Sequence, residues 1–333
     1  MSLKEMGEDG ITEYLARKYS TDNPRVIRAI GDDTAVLSET GGSVQLATTD
    51  ILIEGTHFRR DLTTPYLLGS KALAVSLSDI AAMGGEPLFY LVTLNLPPNT
   101  EAAYLKNLYK GLDKEAKKFG VTLTGGNLSR AKSISISITL LGQMPADEVL
   151  YRDGAKPGDD IYITGNPGDS AIGLAALKKY GGRAITKGPL KRQVRKHLEP
   201  QPRIDVGRKL AQTKRATAMM DISDGLLLDL GRLCRASKAG ACIEADKIPF
   251  SRALLSCGRE KALKTALGGG EDYELLFTAS SHQGKKILNI EKTHDVKVTR
   301  IGRILPAGEG IFVTGANGKK LKINTMAGGF RHF

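Results

Sequence analysis

Tryptophan is absent from the 333 residues of this sequence, and aromatic residues make up only 5% of it. Proteins that bind single-stranded nucleic acid stack its bases on aromatic side chains, so this scarcity argues against such a function. The formal net charge of +12 is compatible with anionic small ligands, but the basic residues between positions 187 and 215 are interleaved with apolar ones, as on the solvated faces of helices. We therefore expect no nucleic-acid partner.

Long apolar runs are also absent. No stretch approaches the length of about 20 apolar residues that crosses a bilayer, and residues 1–10 are polar, without the apolar centre of a signal peptide. The cysteines Cys234, Cys242 and Cys257 are too few and too unevenly spaced for a zinc site or a disulfide framework. We expect a cytoplasmic protein with no membrane partner.

Several nucleotide-binding and metal-binding motifs are missing. The sequence has no G-x-x-x-x-G-K-[ST] loop, no Asp-Phe-Gly set of a protein kinase and no H-E-x-x-H, and its five histidines do not cluster. These absences exclude a P-loop enzyme and argue against a zinc hydrolase.

The length of the chain favours two domains. Turn-forming residues concentrate between positions 145 and 160, and we place the boundary there, with an N-terminal domain over residues 1–148 and a C-terminal domain over residues 149–333. The predicted fold class is α/β (α+β). Strands and helices mix in the first half, and the second half has an α/β pattern.

Hydrophobic periodicity and turn residues predict the elements. Residues 133–141 alternate between aliphatic and hydroxyl side chains, which predicts a half-buried antiparallel strand. Residues 65–83 predict a long helix, because Pro65 suits its first turn and Gly84-Gly85 its end. The remaining predictions are helices over 101–119, 171–179 and 226–236, and strands over 44–48, 88–96, 121–123, 161–164, 216–222, 273–279, 296–304 and 310–314.

Aspartates flanked by small polar residues or glycine recur along the chain. Mg²⁺ prefers oxygen ligands, so binding several ions requires several carboxylates, and we expect loops at the ends of elements to supply them. One aspartate lies instead inside an apolar helix, where its charge is costly unless it is paired or coordinated. Each aspartate alone has a structural explanation as a turn residue, a strand exit or a helix cap. Together they predict a magnesium site at Gly31-Asp32-Asp33, Thr48-Thr49-Asp50, Ser78-Asp79 and Asp221-Ile222-Ser223-Asp224.

Two glycine-rich segments are candidate ligand loops. The first, residues 124–129, follows a predicted strand, and its pair Gly125-Gly126 would let backbone N–H groups approach a phosphate. The second, residues 267–275, places three glycines beside Glu271 and Asp272 and predicts a close-fitting ligand loop, with a flexible hinge as the alternative.

The ordered set of these motifs resembles the thiamine-monophosphate kinase family, from about residue 7 to the last residue. The segments that carry the resemblance are Gly31-Asp-Asp-Thr-Ala-Val, Gly55-Thr-His-Phe, Ser76-Leu-Ser-Asp-Ile-Ala-Ala-Met-Gly84 and Gly268-Gly-Gly-Glu-Asp-Tyr-Glu-Leu. The resemblance implies the fold of aminoimidazole ribonucleotide synthetase. In that fold the N-terminal sheet pairs with that of a second subunit in a homodimer, the C-terminal domain is α/β, and the active site lies in the cleft between the two domains.

The resemblance also implies a reaction and its residues. ATP, as co-substrate, phosphorylates thiamine monophosphate to thiamine diphosphate by direct in-line transfer, with several Mg²⁺ ions and no covalent nucleophile. The implied magnesium ligands are Asp33, Thr48, Thr49, Asp50, Asp79, Asn127, Asp221 and Asp224. The implied nucleotide contacts are Gly126, Asn127, Arg152 and Ser223, and the implied contacts of thiamine monophosphate are His57, Glu271 and Phe330.

Two positions depart from the family pattern. The expected aspartate after Gly125-Gly126 is Asn127, which loses a charge at the metal site, and the expected C-terminal tyrosine is Phe330. A related ATP-using synthetase of purine biosynthesis is one alternative function, against which the Gly-Gly-Glu-Asp-Tyr-Glu-Leu string argues. A weakened nucleotide-binding regulatory protein is another, and Asn127 is its only support.

Overall fold

The computed structural model describes residues 2–322, so Phe330 lies outside the described residues. The described helices are α1 (Leu3–Lys18), α2 (Pro65–Met83), α3 (Ala102–Phe119), α4 (Asp169–Tyr180), α5 (Arg183–Thr186), α6 (Lys191–Leu198), α7 (Ile204–Gln212), α8 (Leu226–Ala236), α9 (Arg252–Leu255), α10 (Arg259–Gly268) and α11 (Gly284–His294). None of these helices has both the length and the apolar character that crossing a membrane requires.

The described strands form two sheets. They are β1 (Val26–Arg28), β2 (Ala35–Ser38), β3 (Ser43–Ile53), β4 (Glu86–Leu96), β5 (Thr122–Arg130), β6 (Ser135–Pro145), β7 (Asp160–Thr164), β8 (Ala218–Ile222), β9 (Ala239–Glu244), β10 (Glu274–Ala279), β11 (Val298–Pro306) and β12 (Ile311–Thr314). The first sheet has the order β1-β2-β3-β6-β4-β5 and the second β12-β9-β11-β7-β10-β8. Neighbouring strands are antiparallel except for the pairs β4–β5 and β9–β12.

Helix α2 has the bounds that the sequence predicts. The side chain of Thr64 caps its N-terminus by accepting a hydrogen bond from the N–H of Leu67, Pro65 occupies the first turn, and Gly84 ends it in the left-handed conformation at φ 78°. Most of the helix is buried, and Lys71 and Asp79 are its only charged residues. Two buried charges in an apolar helix require partners from elsewhere in the fold.

The first sheet packs one face on α2 and leaves the other face open. In β6, Ile136, Ile138 and Leu140 are buried, whereas Ser137 and Thr139 face the open side, which confirms the predicted half-buried antiparallel strand. Glycine lets α3 approach α2 closely, because a Cβ on Gly69 would lie 2.0 Å from a carbonyl oxygen of α3.

Helix α2 also joins the two domains. It contacts α7 and β8, and one continuous hydrophobic core includes side chains of both domains, such as Leu77, Leu210 and Met219. A Cβ on Gly207 of α7 would lie 2.1 Å from the carbonyl oxygen of Ala81, so this contact is made backbone to backbone. The charged residues of α2 therefore lie where the domains meet.

Two predictions about local structure are wrong. Thr48, Thr49 and Asp50 lie inside β3 and do not end a strand, because pairing with β6 extends β3 to Ile53. Residues 124–129 are not a loop after a strand, because they belong to β5, whose residues are all exposed at the edge of the sheet. Helix α1, for which the sequence analysis made no prediction, begins at Leu3 with a capping box between Ser2 and Glu5.

Candidate active site

Three aspartates from distant parts of the chain meet between the domains. Carboxylate oxygens of Asp33, Asp79 and Asp221 all lie within 4.8 Å of one another. Asp33 precedes β2, Asp79 lies within α2 and Asp221 lies within β8. Asp79 lies inside the helix, as the sequence predicts. The expectation that loops supply the other carboxylates is wrong for Asp221, because it lies within a strand packed at the domain boundary.

Hydroxyl groups hold the carboxylates in place. Thr48 donates to Asp79 at 2.5 Å, Ser76 donates to Asp50 at 2.8 Å, and Ser78 donates to Asp221 at 2.6 Å. The side chains of Thr48 and Asp50 thus join the cluster from the core face of β3. The sequence motifs contain Ser76 and Ser78 but gave neither a role, and the structure shows that both orient carboxylates of the cluster.

Burial and mutual repulsion govern the charge of this cluster. Burial, followed by the nearby Asp50 and Asp221 carboxylates, raises the pKa of Asp79 well above its usual value. Burial, followed by Asp33, does the same to the pKa of Asp221, and burial also raises the pKa of Asp50. Several buried carboxylate oxygens that repel one another are a donor set that suits a hard cation such as Mg²⁺.

Arg152 is the cation that pairs with this cluster. Its Nη2 lies 2.6 Å and its Nε 3.2 Å from the two carboxylate oxygens of Asp33, which is the two-pronged geometry of a guanidinium–carboxylate pair. Burial acts to lower the pKa of Arg152, but the carboxylates of Asp33, Asp32 and Asp221 together outweigh burial and raise that pKa. Burial and the Asp33 charge raise the pKa of Asp32 to about 7.

The turn after β8 is held by a buried aspartate that the sequence-based list missed. Asp229 accepts hydrogen bonds of 3.1 Å from the backbone N–H groups of Ser223, Asp224 and Gly225. The side chain of Asp224 pairs with Arg232 at 2.6 Å instead of joining the cluster. Ser223 lines the cleft, as predicted for a nucleotide contact, whereas Asp224 is already neutralised by an arginine.

Two further predicted magnesium ligands, Thr49 and Asn127, also lie away from the cluster. The side chain of Thr49 is on the open face of β3, within 3.5 Å of the hydroxyls of Ser137 and Thr139. Asn127 pairs with Thr93 of β4 and, across β6, is in register with Ile51. Three strand spacings, about 14 Å, separate Asn127 from β3 within one chain. Neither Asn127 nor the adjacent Gly126 lines the cleft.

A cleft of about 1040 Å³ extends from the aspartate cluster. One face of α2 forms the floor of the cleft. It carries residues at the spacing i, i+3, i+7 and i+11, which are Leu68, Lys71, Val75 and Asp79. Apolar side chains also line the cleft, among them Phe58 and Leu174. Leu62, Leu177 and Leu198 pack together with Leu67 near the start of α2, at the end away from Asp79. The cleft thus offers carboxylates at one end and an apolar surface at the other.

The predicted substrate contact Glu271 lies in the cleft beside two groups that the sequence-based list missed. Lys71 Nζ lies 2.6 Å from one of its carboxylate oxygens, and His197 Nδ1 lies 3.3 Å from the other. Burial acts to raise the pKa of Glu271, but Lys71, together with His197 and His57, outweighs burial and lowers that pKa. Burial and the Lys71 charge lower the pKa of His197 to about 3, so this imidazole is neutral at pH 7.

The other predicted substrate contact is also at the cleft. His57 lines the cleft, and its Nδ1 accepts a hydrogen bond of 2.9 Å from the N–H of Ile53, which fixes the ring. Lys71 could have been recognised from the sequence, as one of only two charges in a long apolar helix. His197 lies in the basic segment 187–215, whose pattern is typical of solvated helix faces, and nothing in the sequence distinguishes this histidine.

Comparison with known proteins places both halves of the chain in one group. Residues 31–144 match the family described as AIR synthase related protein, N-terminal domain, and residues 156–314 match AIR synthase related protein, C-terminal domain. The predicted domain boundary at residue 148 lies between these two regions and stays a prediction.

Curated relatives match over nearly the whole chain. A thiamine-monophosphate kinase of Buchnera aphidicola (subspecies Schizaphis graminum) is 36% identical over 330 residues, which cover 99% of each protein. A thiamine-monophosphate kinase of Escherichia coli K12 is 40% identical over 85% of each. A solved structure, described as AaThiL complexed with AMPPCP and TMP, is 35% identical with a TM-score of 0.85, covering 100% of this chain and 99% of that one.

Proposed function

The chain belongs to the thiamine-monophosphate kinase family, and from this premise we propose that it transfers the γ-phosphoryl group of ATP to the phosphate of thiamine monophosphate, giving thiamine diphosphate and ADP. The observation that carries this function is the shape of the cleft: buried carboxylates and Arg152 lie at one end, and apolar side chains with Glu271 at the other. The similar structure that contains AMPPCP and TMP supports the choice of both substrates.

The polar end of the cleft fits the phosphate chemistry. Phosphoryl transfer depends mainly on positioning and on neutralising charge, so it needs no protein nucleophile. Asp33, Asp50, Asp79 and Asp221, with Thr48, would hold Mg²⁺, which when bound neutralises polyphosphate charge. Arg152 is oriented by Asp33 toward this end, and its guanidinium would contact phosphate oxygens. Ser223 would contact the nucleotide from the turn fixed by Asp229.

The apolar end of the cleft fits the organic part of thiamine monophosphate. Leu174, Leu177 and Phe58 would cover its rings, and burial of this apolar surface favours binding. Glu271 would accept a hydrogen bond from an amino group, and His57 would contribute a second polar contact. We also assign Phe330 as an aromatic contact of the substrate.

We place the protein in a homodimer that pairs through the open face of the first sheet. That face carries the exposed side chains of Ile51, Phe89 and Leu91, and the edge strand β5 adds Leu128, which is 63% exposed. A cluster of exposed apolar side chains beside an unpaired edge strand is typical of a subunit interface. In such a dimer, Asn127 and Gly126 would face the neighbouring copy, which is how they would reach a nucleotide.

A reducing cytoplasm is the compartment that we assign. Cys234, Cys242 and Cys257 are all free thiols, which fits a reducing environment.

A direct assay tests the proposed reaction. We would incubate the protein with ATP, Mg²⁺ and thiamine monophosphate and separate the products by chromatography, with EDTA in the control. We expect thiamine diphosphate and ADP to form in equal amounts. ADP formed without thiamine diphosphate would point instead to a different acceptor, and no product above the EDTA control would refute the proposed function.

A further inference from the structure

Lys71 is a buried cation at the apolar end of the cleft. The residue is only 3% exposed and lies on the cleft-lining face of α2, eight positions before Asp79. Eight residues of α-helix span about 12 Å, so the Lys71 backbone lies well away from the carboxylate cluster. A buried lysine costs free energy unless it is paired, and its partner is Glu271 of the C-terminal domain.

The side chain of Glu271 is fixed from two directions. Lys71 of α2 contacts one carboxylate oxygen at 2.6 Å, and His197 of α6 contacts the other at 3.3 Å. The backbone of Glu271 adopts the left-handed conformation at φ 63°, and its N–H donates a 2.6 Å hydrogen bond to the carbonyl oxygen of Ser223. A left-handed backbone is unfavourable for a residue with a side chain, so this conformation lowers the stability of the fold while it directs the carboxylate of Glu271.

We propose that Lys71 is a positioning residue for substrate recognition, which holds the Glu271 carboxylate ionised and aimed so that its remaining lone pairs accept a hydrogen bond from a neutral amino group of the substrate's organic part. This inference rests on the proposed function and deepens it. The Lys71–Glu271 pair has no net charge, so the subsite favours an N–H donor over a full cation. The amino group of an aminopyrimidine ring, as in thiamine, is such a donor.

A direct contact between Lys71 and the substrate's phosphate is the competing explanation. Thiamine has the same organic part as thiamine monophosphate but no phosphate, so the two ligands distinguish these roles. If Lys71 positions Glu271, removing Lys71 weakens the binding of thiamine and of thiamine monophosphate by the same factor. If Lys71 binds phosphate, removing Lys71 weakens only the binding of thiamine monophosphate.

The test uses the full-length protein, four variants at the pair and one control variant. Lys71→Met and Lys71→Gln remove the charge, Lys71→Arg keeps it, and Glu271→Gln removes the acceptor charge itself. Lys114→Met is the matched control, because Lys114 forms an ion pair with Glu199 at 2.7 Å outside the residues that line the cleft. Calorimetric titration with each ligand and steady-state kinetics are measured for all variants, and circular dichroism confirms that each is folded.

We expect Lys71→Met and Lys71→Gln to raise the Kd of thiamine and of thiamine monophosphate by the same factor, about tenfold or more, because a charged hydrogen-bonding partner is lost. The KM for thiamine monophosphate rises by that factor, whereas kcat and the KM for ATP stay near the wild-type values. Lys71→Arg restores most of the affinity, and Lys114→Met changes nothing.

The pH profile separates positioning from a merely structural role. The charged or titratable groups around Glu271 are Lys71 on α2, His197 on α6, His57 after β3 and Tyr273 on its own segment. Burial raises the pKa of Glu271 and the Lys71 charge lowers it, so this pKa rises when Lys71 is removed. The ratio of the Lys71→Met KM to the wild-type KM should therefore grow as the pH falls from 8 to 5, and titration of the ligand cancels in this ratio.

Three results would overturn the inference. The first is a ratio of the Lys71→Met KM to the wild-type KM that does not depend on pH. The second is a loss of affinity confined to thiamine monophosphate, and the third is a Lys71→Arg variant that binds as weakly as Lys71→Met. The proposed function fails separately, if the wild-type protein forms no thiamine diphosphate.

Discussion

The hydroxyl of Ser78 donates a hydrogen bond of 2.6 Å to the carboxylate of Asp221, and both groups are buried. Ser78 belongs to α2 of the N-terminal domain and Asp221 to β8 of the C-terminal domain. The aspartate cluster therefore exists only when the two domains are packed together. Its repelling carboxylates are held close by the packing of α2, which makes the cluster a strained site that a bound cation would stabilise.

Replacing one carboxylate should separate stability from activity. We expect Asp79→Asn to abolish turnover and to leave the metal-free protein at least as stable as wild type, because it removes repulsion in the cluster. Mg²⁺ at 100 times its Kd should stabilise the wild type by about 2.7 kcal/mol and the variant by much less. Thermal unfolding with and without Mg²⁺ measures this. Asp113→Asn, on the surface of α3, is the control, and retained turnover in Asp79→Asn would refute its metal role.

Arg152→Lys should weaken nucleotide binding although the charge is kept. A lysine cannot reproduce the two-pronged contact with Asp33, so its ammonium would not be aimed at the polyphosphate. We expect about a tenfold rise in the Kd of a non-hydrolysable ATP analogue. Arg208→Lys, outside the residues that line the cleft, should leave that Kd unchanged. Equal affinities for Arg152→Lys and wild type would show that Arg152 does not contact the nucleotide.

Asn127→Asp should lower the Mg²⁺ concentration needed for half-maximal activity, because in the proposed dimer position 127 faces the neighbouring copy and an aspartate would add a carboxylate beside its nucleotide. The measurement is a magnesium titration of turnover at saturating ATP. An unchanged magnesium dependence would show that Asn127 is not a metal ligand.

A charge on the open sheet face should disrupt the proposed dimer. Leu91 is exposed on β4, next to the edge strand, and Leu91→Lys would place an ammonium in the middle of an apolar interface. We expect a monomer by sedimentation and a loss of turnover, since Asn127 and Gly126 would no longer reach a neighbouring copy. Leu255→Lys, at another exposed leucine, is the control. A wild-type monomer with full activity would contradict the dimer.

The buried Glu274 should make stability depend on pH. Burial acts to raise its pKa, but Lys196 at 2.6 Å and Arg203 at 2.7 Å hold that pKa well below its usual value of 4.5. Because the pKa is depressed in the folded state, this stabilisation is complete above pH 4.5 and is lost as the pH falls toward the folded pKa.

Glu274→Gln tests this ion pair. At pH 7 it should lower the free energy of unfolding by about 3–5 kcal/mol, since two cations lose their partner, and the difference from wild type should shrink as the pH falls below 4.5. Denaturant unfolding at pH 7 and in mild acid measures both values. A difference that stays constant with pH would show that the carboxylate charge contributes nothing.

Local signals in the sequence were sufficient to predict α2 and β6, two of the elements that position the site. Pro65 and Gly84 bound α2 as predicted, because proline suits a first helical turn and glycine tolerates the left-handed cap. The alternation in β6 predicted its buried face. The same local reasoning failed for residues 124–129, where glycines suggested a loop, because pairing with β4 overrides turn propensity.

The order of the motifs, by itself, determined the family and named the aspartates that matter. Only the tertiary structure decided which of them meet: Asp33, Asp79 and Asp221 come together, Thr49 faces the opposite side of β3, and Asp224 binds an arginine. It alone joined Lys71 to Glu271, 200 positions later in the chain. Periodicity reveals which face of an element is buried, but the partner on that face depends on how distant elements pack, and here that packing is the insertion of α2 between the two domains.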